Sequence, residues 1–430
     1  MRVLSADWVV PVEGPPIRDG AVAIEDGLIV AVGAAADIGA GERYRGAVIL
    51  PGFVNAHSHL EYAVYGGFGD GLSFGPWIAL HVERKARIDL EDMEAIARFG
   101  ALECLRSGIT TVGDCSFSGA AATACSDVGL QGIVYLEVFG TDDSPLRTRF
   151  APIRERIAED LSQAVRVGIS PHAPYTCTLD LYRSCTELGL PLATHLAESE
   201  AETEFLRTGG GSWAAFAEML VTPPGTTGIR ALAEEGLLGP HVLAAHCVQA
   251  DDEEIELLAA NDVAVAHCPR SNAILGCGIA PLSELRAAGI RVCIATDSPA
   301  STPSFDMFDE MRAAIGAART RERRPDALTA PDALELATLG GARALGWGAE
   351  LGSIAVGKRA DLTVLSLAET PFVPWEDPVT AAVLGGSPQH VVATLVSGET
   401  RYEKGGETWL ELIDAARNAR GRLLSHADPT

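Results

Sequence analysis

The sequence predicts an α/β chain: a (β/α)8 barrel of the TIM type, with a small β-sandwich domain built from both chain ends. Three observations predict it. Apolar runs of strand length recur eight times between residues 48 and 298. Helical periodicity fills most of the gaps between them. Polar and titratable residues gather at the C-terminal ends of the runs, which is the rim on which such barrels build their sites. A chain of 430 residues accommodates one barrel and one smaller domain.

The runs, in order, are "VILPGFVNAHSH" (48–59), "GITTVGDCS" (108–116), "QGIVYLEVFG" (131–140), "RVGISPHAPY" (166–175), "LPLATHLAES" (190–199), "HVLAAHCVQ" (241–249), "DVAVAHCPRSN" (262–272) and "IRVCIATDS" (290–298). Their near-continuous Val, Ile, Leu and Ala content fits strands buried on both faces, as in a parallel sheet covered by helices. Between them, "LEDMEAIARFGALECLRSG" (90–108) reads as a helix ending at a glycine cap. "DDEEIELLAAN" (251–261) opens on acids that suit the positive end of a helix. The gap at 200–240 is longer and carries "RTGGGSW" and "TPPGTTG", so it is expected to loop over the mouth and cover a substrate. Residues 331–346 read as the helix that hands the chain from barrel to sandwich. Residues 1–47, 352–366 and 391–406 read as short strands, too few at either end to bury a core alone. The expected organisation is therefore sandwich at 1–50, barrel at 51–350, and the rest of the sandwich with a C-terminal helix at 351–430.

Bulk properties narrow the function. Hydrophobic content of 47% with 21% charged residues is that of a soluble globular protein. A net charge of −25 argues against nucleic acid or anionic membrane as a partner, since phosphates call for clustered Lys and Arg. No secretory signal and no run of about 18 apolar residues is visible. The nine cysteines are scattered without a CxxC pair, which points to reduced thiols and a cytoplasmic setting.

The histidines carry the strongest signal. Ten occur, and six of them (His57, His59, His172, His195, His246 and His267) fall at the C-terminal ends of runs 1, 4, 5, 6 and 7, while run 8 ends in Asp297. Histidines scattered through a core have no reason to choose one rim. Side chains two apart on a strand share a face, so His57 and His59 can aim at one point. Imidazole and carboxylate ligands suit zinc or divalent iron, and three or four of them with an open position make a catalytic centre. The only lysines are Lys85, Lys358 and Lys404, none on a barrel run, so a lysine bridging two metals has no candidate. One divalent metal ion is expected.

The motifs "PGFVNAHSHLE", "HLAES", "AAHCVQ", "AHCPRSN" and "TDSPAS", in that order, with "GSIAVGKRADLTVL" near the C-terminus, resemble the amidohydrolase superfamily in its deaminase and chlorohydrolase branch. The resemblance covers nearly the whole chain. It implies that His57, His59, His195 and Asp297 bind the metal, zinc first and iron second. It further implies that Glu198 shuttles protons, that His246 orients the attacking hydroxide and that Asp297 accepts the water proton. "ISPHAPYTC", "HLAESEAETEFL", "CPRSNAILGCGIAPL" and "TDSPASTPSFDMFDEMR" are most similar to bacterial aminodeoxyfutalosine deaminases of menaquinone synthesis and to adenosylhomocysteine/methylthioadenosine deaminases. That implies a small nucleoside substrate losing the 6-amino group of its adenine, with guanine or a triazine as the alternative, and a homodimeric enzyme. Trp77, His172, His267 and Ser298 are the expected substrate contacts. The glutamate expected for the ribose hydroxyls has no clear counterpart, because Glu83 comes too early. Glu61, Asn272 and Ser301 are left without assigned roles.

Overall fold

The computed structural model describes residues 1–39, 41–368, 375–406 and 409–425. His426 and the last residues of the expected C-terminal segment lie outside these. Two sheets organise the chain. Strands β1 (Arg2–Val9), β2 (Ile17–Glu25), β3 (Leu28–Ala34) and β4 (Glu42–Pro51) belong to the first, and Gly52 separates β4 from β5 (Phe53–Ser58), the first barrel strand. The barrel continues with β6 (Ile109–Ser116), β7 (Gln131–Val138), β8 (Val165–Pro171), β9 (Leu192–Leu196), β10 (Val242–His246), β11 (Ala264–His267) and β12 (Arg291–Ile294). All eight apolar runs form these strands, and all neighbouring pairs are parallel.

The chain returns to the first sheet with β13 (Leu362–Ser366), β14 (Val391–Val396) and β15 (Glu399–Glu403), giving the order β15-β14-β13-β4-β1-β2-β3. The small β-domain is thus one continuous mixed sheet of both chain ends. Its edge strand β3 returns to the segment before β13, where Ile29 N–H donates to the Lys358 carbonyl at 2.8 Å. Leu4, Val22, Ile29, Ile49, Leu362 and Leu395 share the core so enclosed. The helix Leu410–Leu424 packs on the barrel, where Ala416, Ala419 and Leu423 meet Tyr65, Phe68 and Ile96.

Barrel strands sort their side chains by parity. Ile133, Tyr135, Ala193, Leu243, Ala264, Ala266, Cys293 and Ala295 fill the interior, plugged by Leu345 and Trp347 from the segment after the last barrel helix. Their sequence neighbours Val134, Leu192, Ala244, Val265 and Ile294 face the surrounding helices. Closure is made between β5 and β12 at the level of the histidines: Asp297 N–H donates to the His57 carbonyl at 3.0 Å. Buried Asn55 adds a two-way clasp, donating to Thr296 Oγ1 at 2.7 Å and accepting from Thr296 N–H at 2.9 Å. Among the described residues no helix is long and apolar enough to cross a membrane.

Candidate active site and metal centre

Strand parity alone would not build the site. On β5 the inward residues are Val54 and Ala56, which would turn His57 outward. A bulge between Asn55 and Ser58, where the register against β6 shifts, turns it back, so that His57 and His59 both aim inward. On β10 the parity of Val242 and Ala244 would send His246 toward the helices. Instead, His246 and Cys247 take left-handed backbone angles (φ 73° and 47°), and the imidazole swings into the mouth. Asp297 has the inward parity and also a left-handed φ of 58°. Such strain in non-glycine residues costs about 1–3 kcal/mol each and is held only where surrounding structure over-determines it.

One nitrogen or oxygen from each of His57, His59, His195 and Asp297 falls within a 4.8 Å cluster, and all four residues are buried. His57 Nε2 and His59 Nε2 each lie 3.4 Å from Asp297 Oδ1. His195 donates Nδ1–H to the His172 carbonyl at 2.8 Å, which leaves its Nε2 lone pair for the cluster. His57 Nε2 is buried without a hydrogen-bond partner. Burial lowers the pKa of His59 to about 3 and holds His195 well below its ordinary value, so both rings are neutral ligands. Burial raises Asp297, but the facing imidazoles outweigh it and keep its carboxylate ionised. Three imidazole nitrogens with one carboxylate fit zinc or divalent iron.

The acid–base groups sit beside this cluster. Glu198 Oε1 lies 3.7 Å from His246 Nε2, and Glu198, His246 and Asp297 group within the same 4.8 Å limit. Burial, then the charges of Asp297 and Glu202, raises Glu198 well above the usual carboxyl range, so it binds a proton more readily than a free carboxyl. Burial lowers His246 to about 4. Its Nδ1–H donates to Asn272 Oδ1 at 3.0 Å, which assigns Asn272 a place behind His246 and turns Nε2 toward Glu198. Ser271 and Ser301 both donate to Asp297 Oδ2, at 2.6 and 2.9 Å, leaving Oδ1 for the cluster.

The cluster opens into a cavity of about 570 Å³. Trp77, His172 and Ser298 line it, as expected of substrate contacts, and the segment after β9 covers it with Trp213, Met219 and Leu220. His267 does not line it. It pairs in register with outward-facing Ile294 on an unbulged strand, so parity buries its ring at 2% exposure on the helix side. Glu83 is also outside, on the surface beside Arg87. Glu61 accepts from Ser118 N–H and Oγ and from Ser116, fastening the end of β6. Lys85, Phe117, Glu137 and Phe139 also line the cavity, and none of them is among the substrate contacts expected from the sequence. Glu137, an acid at the end of an apolar run, was legible by the same rule that found the histidines.

The sequence profile of the amidohydrolase family matches residues 48–401. A 5-methylthioadenosine/S-adenosylhomocysteine deaminase of Syntrophobacter fumaroxidans is 34% identical over 411 residues, covering 91% of this chain and 90% of that protein. A 5'-deoxyadenosine deaminase of Methanothermobacter thermautotrophicus is 33% identical over 404 residues, covering 90% of each. Among solved structures, an adenosine deaminase from Xanthomonas campestris with bound zinc superposes with a TM-score of 0.87 at 28% identity over 98% of both chains. Barrel, buried ligand cluster and family match agree: the chain is a hydrolytic enzyme and belongs to the amidohydrolase family.

Proposed function

We propose that this enzyme hydrolytically removes the 6-amino group of an adenine nucleoside, with aminodeoxyfutalosine of menaquinone synthesis as the first substrate to test. The observation that carries the reading is the buried Glu198 carboxyl beside His246 and the four-residue ligand cluster, at the end of an aromatic-walled cavity. The names of the relatives support it, since they are deaminases of adenine nucleosides. A free guanine or triazine ring would leave much of about 570 Å³ unfilled, whereas a nucleoside with a 5′ substituent uses it. Nine free, buried cysteines support a cytoplasmic setting, and a homodimer goes with the family resemblance.

In this reading His57, His59, His195 and Asp297 hold one divalent cation, zinc before iron. When bound, the cation supplies hydroxide near neutral pH by acidifying a water. Glu198 gives its proton to the ring nitrogen next to the amine-bearing carbon as the hydroxyl oxygen bonds to that carbon. His246, with Nδ1 tied to Asn272, keeps Nε2 facing the added oxygen. Asp297, held ionised, takes the water proton and passes it to the amine, which leaves as ammonia, while the C6 hydroxyl returns its proton to Glu198 and becomes a carbonyl. His172 and Trp77 flank the nucleoside.

The test is ammonia release by zinc-loaded protein from aminodeoxyfutalosine, methylthioadenosine, 5′-deoxyadenosine, adenosine and guanine. Adenine nucleosides are expected to be turned over best, aminodeoxyfutalosine first. Faster turnover of guanine or a triazine than of every adenine nucleoside overturns the proposal.

A further inference from the structure

Lys85 ends the helix Phe74–Lys85 and reaches into the cavity, where it is the one Lys or Arg among the lining residues. Among the described residues its ammonium makes no hydrogen bond or ion pair. It lies instead over two aromatic faces, 4.4 Å from the Tyr62 ring centre and 4.1 Å from that of Phe117. A single ring separates it from the ligand cluster, since Tyr62 also stands 5.8 Å from His59. Aromatic faces return only about 0.5–2 kcal/mol to a cation, less than the several kcal/mol its desolvation costs. Arg149 does not share the task. It stacks on Phe117 at 3.8 Å, and its nitrogens donate to the Glu137 and Phe117 carbonyls.

The neighbouring Glu137 carboxyl attracts the ammonium through space, and burial pulls the pKa of Lys85 below its ordinary value. Glu137 is 4% exposed, lines the cavity, and its side chain makes no hydrogen bond or ion pair among the described residues. Burial raises it to about 7 against the pull of Lys85 and Arg149, so it readily takes a proton. One cation beside an acid suits a monoanion and disfavours a dianion. The aromatic walls, Tyr62, Phe117 and Phe139, suit a flat apolar group carrying that charge.

We propose that Lys85, caged by Tyr62 and Phe117, is a specificity-determining residue that binds a carboxylate on the 5′ substituent of the substrate. This rests on the adenine-nucleoside reading above. With the amine-bearing carbon at the ligand cluster, the ribose and its 5′ side trail along the cavity toward Lys85.

Three probes separate the possibilities: 5′-S-(3-carboxyphenyl)-5′-thioadenosine, its neutral 5′-S-phenyl counterpart, and adenosine 5′-monophosphate. Each is titrated into zinc-loaded, full-length protein by tryptophan fluorescence and assayed separately for deamination. A charge-assisted hydrogen bond should favour the carboxylate over the neutral compound by about tenfold or more in Kd and in kcat/KM. Lys85→Met should bring that ratio near one, Lys85→Arg should restore part of it, and Glu137→Gln should raise it. Where Lys85→Met fails to fold, the Arg and Gln variants decide alone. Equal binding of the carboxylate and neutral probes, or a preference that survives Lys85→Met, overturns the proposal, and tighter binding of the monophosphate replaces the carboxylate with a phosphate. Lys85-dependent preference in binding without deamination of either thioadenosine sinks the functional reading and keeps the subsite. Deamination of both at one rate, with equal binding, does the reverse.

Discussion

Removing the hydroxyls behind Asp297 should weaken metal binding in a non-additive way. Asp297 Oδ2 accepts from Ser271 Oγ at 2.6 Å and from Ser301 Oγ at 2.9 Å, and the two hydroxyls stand 2.8 Å apart. Each hydroxyl carries one proton, so either both donate to Oδ2 or one supports the other. A hydrogen bond to a charged acceptor contributes about 1.5–3 kcal/mol. With one serine gone the other still orients the carboxylate, so Ser271→Ala or Ser301→Ala should each cost only about 3- to 5-fold in zinc affinity. The double variant loses the orientation altogether and should cost about 100-fold or more, with a coupling energy of about 1 kcal/mol across the cycle. Zinc competition against a chelator of known affinity measures all four corners. A double variant binding zinc within about twofold of the parent, or strictly additive effects, would refute the reasoning.

Three further outcomes are expected. Glu198→Gln should keep its zinc and lose about 10²–10⁴ in kcat, and the alkaline fall in rate that follows loss of the Glu198 proton should vanish; near-normal turnover refutes the role. Asn55→Ala removes both bonds of the closure clasp and leaves Thr296 N–H buried, so denaturant unfolding should show a loss of about 2–4 kcal/mol. Asp361 links the small sheet to β7 through Ser397 and Gln131, and burial raises its pKa to about 6. Between about 3.9 and that value the folded chain binds the proton more tightly than the unfolded chain, so this group favours folding below the window, and about 2–3 kcal/mol is lost as pH rises through it. Urea midpoints from pH 4 to 6 should therefore slope less steeply in Asp361→Asn than in the parent; equal slopes count against the assignment.

Fold class and the membership of the rim were legible in the chain alone. Period and run length are local properties, so eight buried strands and the residues ending them were legible, as were His57, His59, His195, His246 and Asp297. The direction in which an end residue points is not local. It depends on bulge, register and backbone hand, which neighbouring strands impose. A bulge opposite β6 turned His57 inward, left-handed angles did so for His246, and an unbulged strand kept His267 out, although all three looked alike in the chain. Lys85 and Glu137 are more than fifty residues apart and meet only because a helix after β5 folds over the end of β7. Lys85 lies on no barrel strand, and it enters the cavity from the end of a helix instead. Chemistry-bearing residue types are written in the chain, while their convergence is decided by packing.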